Sequence, residues 1–265
     1  MEIPFTKYQG AGNDFIMIDC RQKSYLDVSD SARVVRMCNR RFGIGADGLI
    51  LLKNHPDYDF EMTYFNADGR EGSMCGNGGR CIAAFAKALG LIQNECLFLA
   101  VDGLHRALIQ DNGWVELQMQ NVDTLEIGPD DTFLDTGSPH LVKFVDKVSE
   151  IDIHSEGKKI RESARFAPGG TNVNFVQAWD DFLFVATFER GVEEETLACG
   201  TGVTAAALVH HVRSLATPGT YSQPISTKGA DLEVRFTYTA SGTFEDIWLC
   251  GPAVRVFEGR FVSVV

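Results

Sequence analysis

The feature that most constrains this chain is a cysteine motif that occurs twice. The first copy, GSMCGNGGRC, is centred on Cys75, and the second, TLACGTGVT, is centred on Cys199. In each copy a strand-like run ends in a polar turn, and Cys-Gly-x-Gly then leads into an alanine-rich stretch typical of a helix. We therefore expect each thiol at the N-terminus of a helix. Backbone N–H groups without intrahelical partners lower the pKa of a thiol there, and they bind anions such as a carboxylate.

The spacing behind the two cysteines repeats as well. Asn13 lies 62 positions before Cys75, and Ser138 lies 61 positions before Cys199. Both follow a glycine-containing turn and precede an apolar strand. Two unrelated glycine-rich turns are the alternative interpretation, but the long matching offset favours a duplication. It predicts two halves that each supply one thiol to a shared cleft.

Composition excludes several classes of function. The chain has 265 residues and a net charge of −12, which argues against nucleic acid and against an anionic membrane as partners. No apolar run approaches the roughly 20 residues of a membrane helix, and the start of the chain lacks the apolar stretch of a signal peptide. We therefore expect a cytoplasmic protein. Seven cysteines without a C-x-x-C pair predict neither a disulfide framework nor a zinc ribbon, and we predict no metal site.

The predicted elements belong to the α+β class. Each half reads as mostly antiparallel strands with one apolar helix, predicted at about 80–89 and 203–212. The DNG sequence at 111–113 is a strong hairpin signal. The acidic turn near residue 127 is the best boundary, which gives an N-terminal lobe of residues 1–127 and a C-terminal lobe of residues 128–253.

Two opposed thiols at helix N-termini can do a defined kind of chemistry. A carbon acid held between them would lose a proton to one sulfur as thiolate and regain one from the other as thiol, which inverts the stereocentre. The helix N-termini would bind the substrate's carboxylate and stabilise the charge that develops. Gly76, Gly78, Gly200 and Gly202 would let backbone amides approach closely. This chemistry requires no cofactor, and the sequence has no motif for one.

Four segments carry a resemblance to a known family: KYQGAGNDF at 7–15, YFNADG at 64–69, MCGNGGR at 74–80 and ERGVEEETLACGTG at 189–202. Together they resemble the diaminopimelate epimerases across essentially the whole chain. The resemblance implies a PLP-independent enzyme that interconverts LL-2,6-diaminopimelate and meso-2,6-diaminopimelate, for lysine and peptidoglycan precursor synthesis. It also implies two pseudosymmetric lobes, each a β-barrel-like antiparallel sheet around a central helix. A C-terminal strand at about 254–265 would join the first lobe, and the protein would be a homodimer.

The resemblance also implies residue roles. Cys75 matches the proton donor and Cys199 the proton acceptor, with the roles exchanged in the reverse direction. His140 and Glu189 match a pair that tunes the thiols. The positions that match substrate-binding residues are Asn13, Asn66, Gly76, Asn77, Asn172, Glu189, Arg190, Gly200 and Thr201.

Two positions depart from the family pattern. Ser138 stands where asparagine is common, and its shorter hydroxyl predicts a contact that is weaker or bridged by water. Gly48 stands where glutamine is common, which removes one further polar contact. Neither departure affects the thiols.

Each implied role has a plain structural alternative. Asn13 and Asn66 could merely close turns, Asn172 could bond a neighbouring strand, and Arg190 could form a surface ion pair with Glu193 or Glu194.

Other functions compete as well. A proline or hydroxyproline racemase would also use two cysteines, but the asparagines and the Glu189-Arg190 pair favour a substrate with a second polar end. A redox sensor that pairs the two thiols and a silent binding protein of the same fold are the remaining alternatives.

Overall fold

The computed structural model describes residues 2–27, 29–72, 74–214 and 216–262. It divides into two compact units. The first contains the residues up to Leu117 together with those from Pro252 onward, and the second runs from Gln118 to Gly251. The sequence instead places the boundary after residue 127, and the division into lobes as folding domains stays a prediction.

The first unit begins with a hairpin and holds two helices. Its strands are β1 (Glu2–Gly10), β2 (Asn13–Asp19), β3 (Gly48–Lys53), β4 (Phe60–Asn66), β5 (Glu95–Ala100), β6 (Gly103–Ile109) and β7 (Trp114–Gln118), and its helices are α1 (Ser31–Cys38) and α2 (Gly76–Ala88).

The second unit has a matching set of elements. Its strands are β8 (Leu125–Ile127), β9 (Asp131–Asp135), β10 (Pro139–Phe144), β11 (Asn172–Ala178), β12 (Leu183–Glu189), β13 (Glu194–Thr196), β14 (Gly219–Ser226), β15 (Asp231–Tyr238) and β16 (Phe244–Pro252), and its helices are α3 (Ile153–Arg161) and α4 (Gly200–Ser214). The chain then returns to the first unit as β17 (Val254–Val262), which pairs antiparallel with β1. Residues 263–265 of the expected terminal strand lie outside the described residues.

The two units repeat one strand topology. In the first, β1–β2 is antiparallel, β2–β3 parallel, β3–β4 antiparallel, β4–β5 parallel, and β5–β6 and β6–β7 antiparallel. In the second, the corresponding pairs are β9–β10, β10–β11, β11–β12, β12–β14, β14–β15 and β15–β16, with the same directions. The extra outer strands match too, because β17 pairs with β1 as β8 pairs with β9. The predicted pseudosymmetry is therefore confirmed at the level of topology.

The α+β class is confirmed, with a mixed rather than wholly antiparallel pairing. Parallel neighbours need a crossover connection, and the helices supply it. Helix α1 connects β2 to β3, and α2 connects β4 to β5. In the second unit α3 and α4 make the equivalent crossovers.

A helix is buried at the centre of each unit. Helix α2 packs against β1, β2, β3, β6 and β17, and α4 packs against β9, β10, β11, β12, β14 and β15. Both are rich in glycine and alanine and are buried along most of their length, as expected of helices surrounded by strands. Helix α2 begins four residues earlier than predicted and α4 three, because the glycines after each cysteine are helical. No described helix is long and apolar enough to cross a membrane.

Local signals place several turns correctly. The DNG hairpin forms between β6 and β7, with Gly113 at φ +85° and the Trp114 amide donating to Asn112 Oδ1 at 2.9 Å. Gly90 ends α2 at φ +70°, as expected of a left-handed C-terminal glycine. Helix α3 was not predicted, because Gly157 interrupts its pattern. In the structure that glycine is buried against Phe188.

We predict that Gly157→Ala destabilises the second unit. A Cβ at this position would lie 2.4 Å from Cβ and 2.5 Å from Cγ of the fully buried Phe188. Overpacking of this kind costs about 1–3 kcal/mol, which exceeds the roughly 1 kcal/mol that alanine gains over glycine in a helix. Thermal and denaturant unfolding measure the change.

The matched control is Gly169→Ala, since a Cβ there meets no atom within 4 Å. We expect this variant to unfold within about 0.5 kcal/mol of the parent. Equal stability of the two variants would contradict the packing described for α3.

Candidate active site

Both repeated cysteines start a buried helix. The carbonyl of Cys75 accepts the Gly79 amide at 2.7 Å, and the carbonyl of Cys199 accepts the Val203 amide at 2.9 Å. Cys75 has extended backbone angles, with φ −111° and ψ 124°, as an N-cap residue does. It is half-buried, and Cys199 is 8% exposed. Each thiol therefore lies beside the N–H groups of a helical first turn.

Burial sets the pKa of other thiols in the chain. Burial raises the pKa of Cys38, Cys81 and Cys96 to about 12 in each case, and it raises the pKa of Cys20 as well. A thiol with a pKa of about 12 stays protonated at neutral pH and is a poor base. Cys38, Cys81 and Cys96 are therefore structural residues.

Asn13 faces the Cys75 thiol with its carbonyl oxygen. Its Nδ2 donates to Asp47 Oδ2 at 2.7 Å, and a carboxylate can only accept, so the amide orientation is fixed. Oδ1 is then turned to Cys75 Sγ at 3.5 Å and to Asn77 Nδ2 at 3.4 Å. The group beside this sulfur is thus an acceptor, which favours the thiol form of Cys75.

A charged network behind Asn13 holds the start of β2 in place. Asp14 pairs with Lys7 at 2.8 Å and with Arg40 at 2.7 Å, and Arg40 also pairs with Asp47 at 2.8 Å. Burial alone would raise the pKa of the Asp14 carboxyl, but hydrogen bonds to the two cations and their charges hold it well below its usual range. Asp14 therefore stays ionised, and Arg40 connects it to Asp47, which accepts from the Asn13 side chain.

Arg80 is a part of this site to which sequence reasoning assigned no role. It is fully buried within α2, donating from Nη2 to Asn77 Oδ1 at 2.8 Å and from Nη1 to the Gly76 carbonyl at 3.4 Å. A buried charge is costly unless it is bonded, so an arginine inside a glycine- and alanine-rich helix was an available signal. It positions the Gly76-Asn77 segment beside Cys75.

Asn66 and Gly48 lie on neighbouring strands of the first unit. Asn66 is exposed at the end of β4, where its backbone amide donates to the Arg70 carbonyl at 2.9 Å and its backbone carbonyl accepts from the Gly69 amide at 2.9 Å, which closes a turn. Gly48 is paired with Asn66 across the sheet. A Cβ on Gly48 would lie 2.4 Å from the Tyr64 ring, so tyrosine occupies the space that a longer side chain at position 48 would need.

In the second unit the Cys199 thiol lies beside a hydroxyl group. Thr201 Oγ1 lies 3.5 Å from Cys199 Sγ, 2.8 Å from His140 Nε2 and 3.1 Å from Ser138 Oγ. Ser138 also lies 2.9 Å from His140 Nε2, so its short hydroxyl makes direct contacts within this cluster. The Ser138–Thr201 contact corresponds to the Asn13–Asn77 contact of the first unit, because Thr201 and Asn77 each follow their cysteine by two positions.

His140 is neutral in this environment. Complete burial and the nearby positive charge of Arg190 lower its pKa from 6.5 to about 3. A ring with so low a pKa is uncharged at physiological pH and carries a proton on one nitrogen only.

Asn172 connects Ser138 to the turn after β12. Its Nδ2 donates to the Pro139 carbonyl at 3.0 Å and lies 3.3 Å from Ser138 Oγ, and its Oδ1 accepts the Arg190 amide at 2.9 Å. Glu189 is half-buried at the end of β12 and Arg190 is exposed beside it. The Asn172 side chain therefore positions the Glu189-Arg190 segment.

The guanidinium of Arg190 donates to the Gly169 carbonyl at 3.3 Å. The acidic residues after it bond elsewhere, Glu193 with Arg161 at 2.8 Å and Glu194 with His154 at 2.9 Å. From the sequence, Arg190 was considered as an ion-pair partner of Glu193 or Glu194. In the structure these two glutamates pair with other residues. Among the described residues no group of three or more histidine, cysteine, aspartate or glutamate side chains could hold a metal ion.

We predict that His140 makes stability depend on pH. Between about pH 3 and 6.5 the unfolded chain binds a proton at this histidine that the native chain does not. The free energy of unfolding therefore falls as pH is lowered through that window and is largest above it. His140→Gln should flatten this dependence in denaturant titrations at pH 4.5 and 7, whereas the matched His55→Gln variant should keep the slope of the parent. Equal slopes for all three proteins would contradict a buried neutral His140.

Comparison with known proteins agrees with these motifs. The family model described as diaminopimelate epimerase matches residues 5–125 and 132–246. A diaminopimelate epimerase of Flavobacterium psychrophilum is 48% identical over 253 residues, 95% of this chain and 97% of that protein. One of Aquifex aeolicus is 39% identical over 279 residues, 98% of each.

A solved structure of a phenazine biosynthesis protein of the PhzF family from Bacillus anthracis shares the fold. Its TM-score is 0.78 at 13% identity, with 99% of this chain and 100% of that chain covered. At that identity the likeness concerns the fold alone, and the family assignment comes from the sequence matches. The chain belongs to the diaminopimelate epimerase family.

Proposed function

We propose that this protein interconverts LL-2,6-diaminopimelate and meso-2,6-diaminopimelate by two-base proton transfer between Cys75 and Cys199, without PLP. The observation that carries the proposal is the repeated placement of one cysteine at the start of each buried helix, in a chain of this family. The reaction would serve lysine and peptidoglycan precursor synthesis.

The backbone of each helical first turn supplies the binding of charge. The amides of Gly76-Asn77 and Gly200-Thr201 bind the α-carboxylate next to the reacting carbon, because helix N-termini favour anions. The same amides stabilise the negative charge that moves onto the carboxylate as the α-proton leaves.

The surroundings of the two sulfurs suggest the direction of transfer from the LL isomer. Cys199 faces the Thr201 hydroxyl, which can donate to a thiolate, and Cys75 faces the Asn13 carbonyl oxygen, which can only accept from a thiol. Cys199 then removes the α-proton and Cys75 delivers a proton to the opposite face. After the reaction the protonation states are exchanged, and the meso isomer is processed in reverse.

The substrate-binding set would read the unreacting end of diaminopimelate. The amides of Asn66 and Asn172 can donate and accept, and the guanidinium of Arg190 can hold a carboxylate with two hydrogen bonds. A proline substrate has no second polar end for these groups. The family match likewise does not favour a proline racemase or a redox sensor.

A homodimer and a cytoplasmic location, both expected from the sequence, remain parts of this proposal. The homodimer has support from β17, which exposes four apolar side chains: Val254, Val256, Phe257 and Val262. Covering such side chains with a second copy would remove apolar area from water. Light scattering coupled to size-exclusion chromatography measures the oligomeric state.

The experiment that tests the function is an epimerisation assay on purified protein treated to remove PLP. We expect LL- and meso-diaminopimelate to interconvert and L-proline to stay unchanged. Cys75→Ala and Cys199→Ala should each reduce kcat by at least about 10³-fold, because each step of the reaction loses its acid or its base.

The matched control is Cys20→Ala, which removes a thiol outside the site and should keep the parent activity. Circular dichroism and thermal unfolding of all three variants verify that they fold. Near-normal turnover by either active-site variant would overturn the two-base mechanism, and turnover of proline alone would overturn the substrate.

A further inference from the structure

Asn174 is a buried residue next to His140 to which the proposed chemistry gives no role. Asn174 is fully buried on β11, two positions after Asn172 and on the same face of the strand. Its Nδ2 lies 3.0 Å from His140 Nδ1 and 3.0 Å from the Leu141 carbonyl oxygen. Its Oδ1 accepts the Thr187 hydroxyl at 2.8 Å.

These contacts fix the orientation of the Asn174 amide. A backbone carbonyl can only accept, so the amide nitrogen must be the atom that faces Leu141. The same nitrogen then faces His140 Nδ1 and donates to it. Exchanging nitrogen and oxygen would place the carbonyl oxygen of Asn174 against that of Leu141, a repulsive contact in a buried site.

The orientation of Asn174 determines the tautomer of His140. Because Nδ1 accepts a hydrogen bond, it has no proton, and the single proton of the neutral ring is on Nε2. Nε2–H then donates toward Thr201 Oγ1 at 2.8 Å. Because Thr201 Oγ1 accepts this bond, its own proton can point at Cys199 Sγ, 3.5 Å away, with Ser138 Oγ as the other nearby acceptor at 3.1 Å.

We propose that Asn174 is a positioning residue, which holds His140 in its Nε2–H tautomer so that successive hydrogen bonds from Asn174, His140 and Thr201 all donate toward Cys199. The inference rests on the proposed function, which makes Cys199 the base toward the LL isomer. A donor aimed at the sulfur stabilises its thiolate form. In the other tautomer Nε2 would accept the hydrogen bond from the Thr201 hydroxyl, and Cys199 would lose this donor.

The packing around Asn174 leaves it little freedom. A Cβ on Gly202, in the first turn of α4, would lie 2.4 Å from Asn174 Oδ1 and 3.2 Å from Thr187 Oγ1. The glycine therefore lets the Cys199 helix approach the amide closely. The helical turn that follows Cys199 therefore packs against Asn174, the residue that sets the tautomer of His140.

The first experiment uses the unmodified protein with ¹⁵N-labelled histidine. Long-range ¹H–¹⁵N correlation spectra report which imidazole nitrogen carries the proton, and the signal of His140 is assigned by its loss in His140→Gln. We expect the Nε2–H tautomer at pH 7 and again at pH 5.5. An Nδ1–H tautomer, a mixture of tautomers or an imidazolium would overturn the inference.

The second experiment is Asn174→Asp. The carboxylate accepts from Nδ1–H, so the histidine proton moves to Nδ1 and the donation toward Cys199 is lost. We expect kcat to fall by about 10-fold or more, as when an outer group that orients a functional histidine is removed, while KM stays within about 2-fold. A merely structural role would lower stability and leave kcat of the folded fraction unchanged.

The matched control is Asn112→Asp, which adds the same charge at an exposed hairpin and keeps the oxygen that accepts from Trp114. It should retain the parent kcat. Parent kcat in Asn174→Asp, with an unchanged His140 tautomer, would overturn this inference while leaving epimerisation intact. Absence of epimerisation in the parent would instead overturn the proposed function, and the tautomer would still be measured.

Discussion

The structure depends on placing a thiol at the start of a helix that is buried along most of its length. The first-turn N–H groups of such a helix have no intrahelical partners, and burying them without partners would be costly. In the proposed function a substrate carboxylate satisfies them, so the feature that is costly for folding is also the one proposed to bind substrate. The buried helix also explains the composition of its first turn. At Gly202 the helix approaches Asn174 so closely that a Cβ would lie 2.4 Å from its oxygen.

The two thiols differ in their surroundings although their units share one topology. Cys75 is next to an amide oxygen whose orientation is fixed by Asp47, and Cys199 is next to a hydroxyl. A repeated fold therefore holds two sites with opposite hydrogen-bonding character. That difference is what a reaction with one acid and one base requires. The asymmetry lies in two pairs of equivalent positions, because Ser138 replaces Asn13 and Thr201 replaces Asn77.

The repeat could be predicted from the sequence because motif and spacing are properties of the chain itself. The two cysteines and the central helices followed from it, and the family resemblance came from four longer segments of the sequence. What could not be predicted depends on contacts between distant residues. The parallel strand pairs, helix α3 and strand β14 have weak local signals, and Gly157 and Pro224 each interrupt the expected pattern of their element. The roles of Asp47 and Asn174 arise from hydrogen bonds to side chains that only the fold brings near.

The most direct test of the central claim is the fate of the α-hydrogen at low conversion in D₂O. Starting from LL-diaminopimelate, mass spectrometry of the separated isomers should find one deuterium in nearly all of the meso product and almost none in the remaining LL isomer. One sulfur takes the original hydrogen and the other delivers a proton from solvent, so label enters with inversion. Product that keeps the original hydrogen, or LL substrate labelled as fast as product forms, would contradict an acid and a base on separate cysteines.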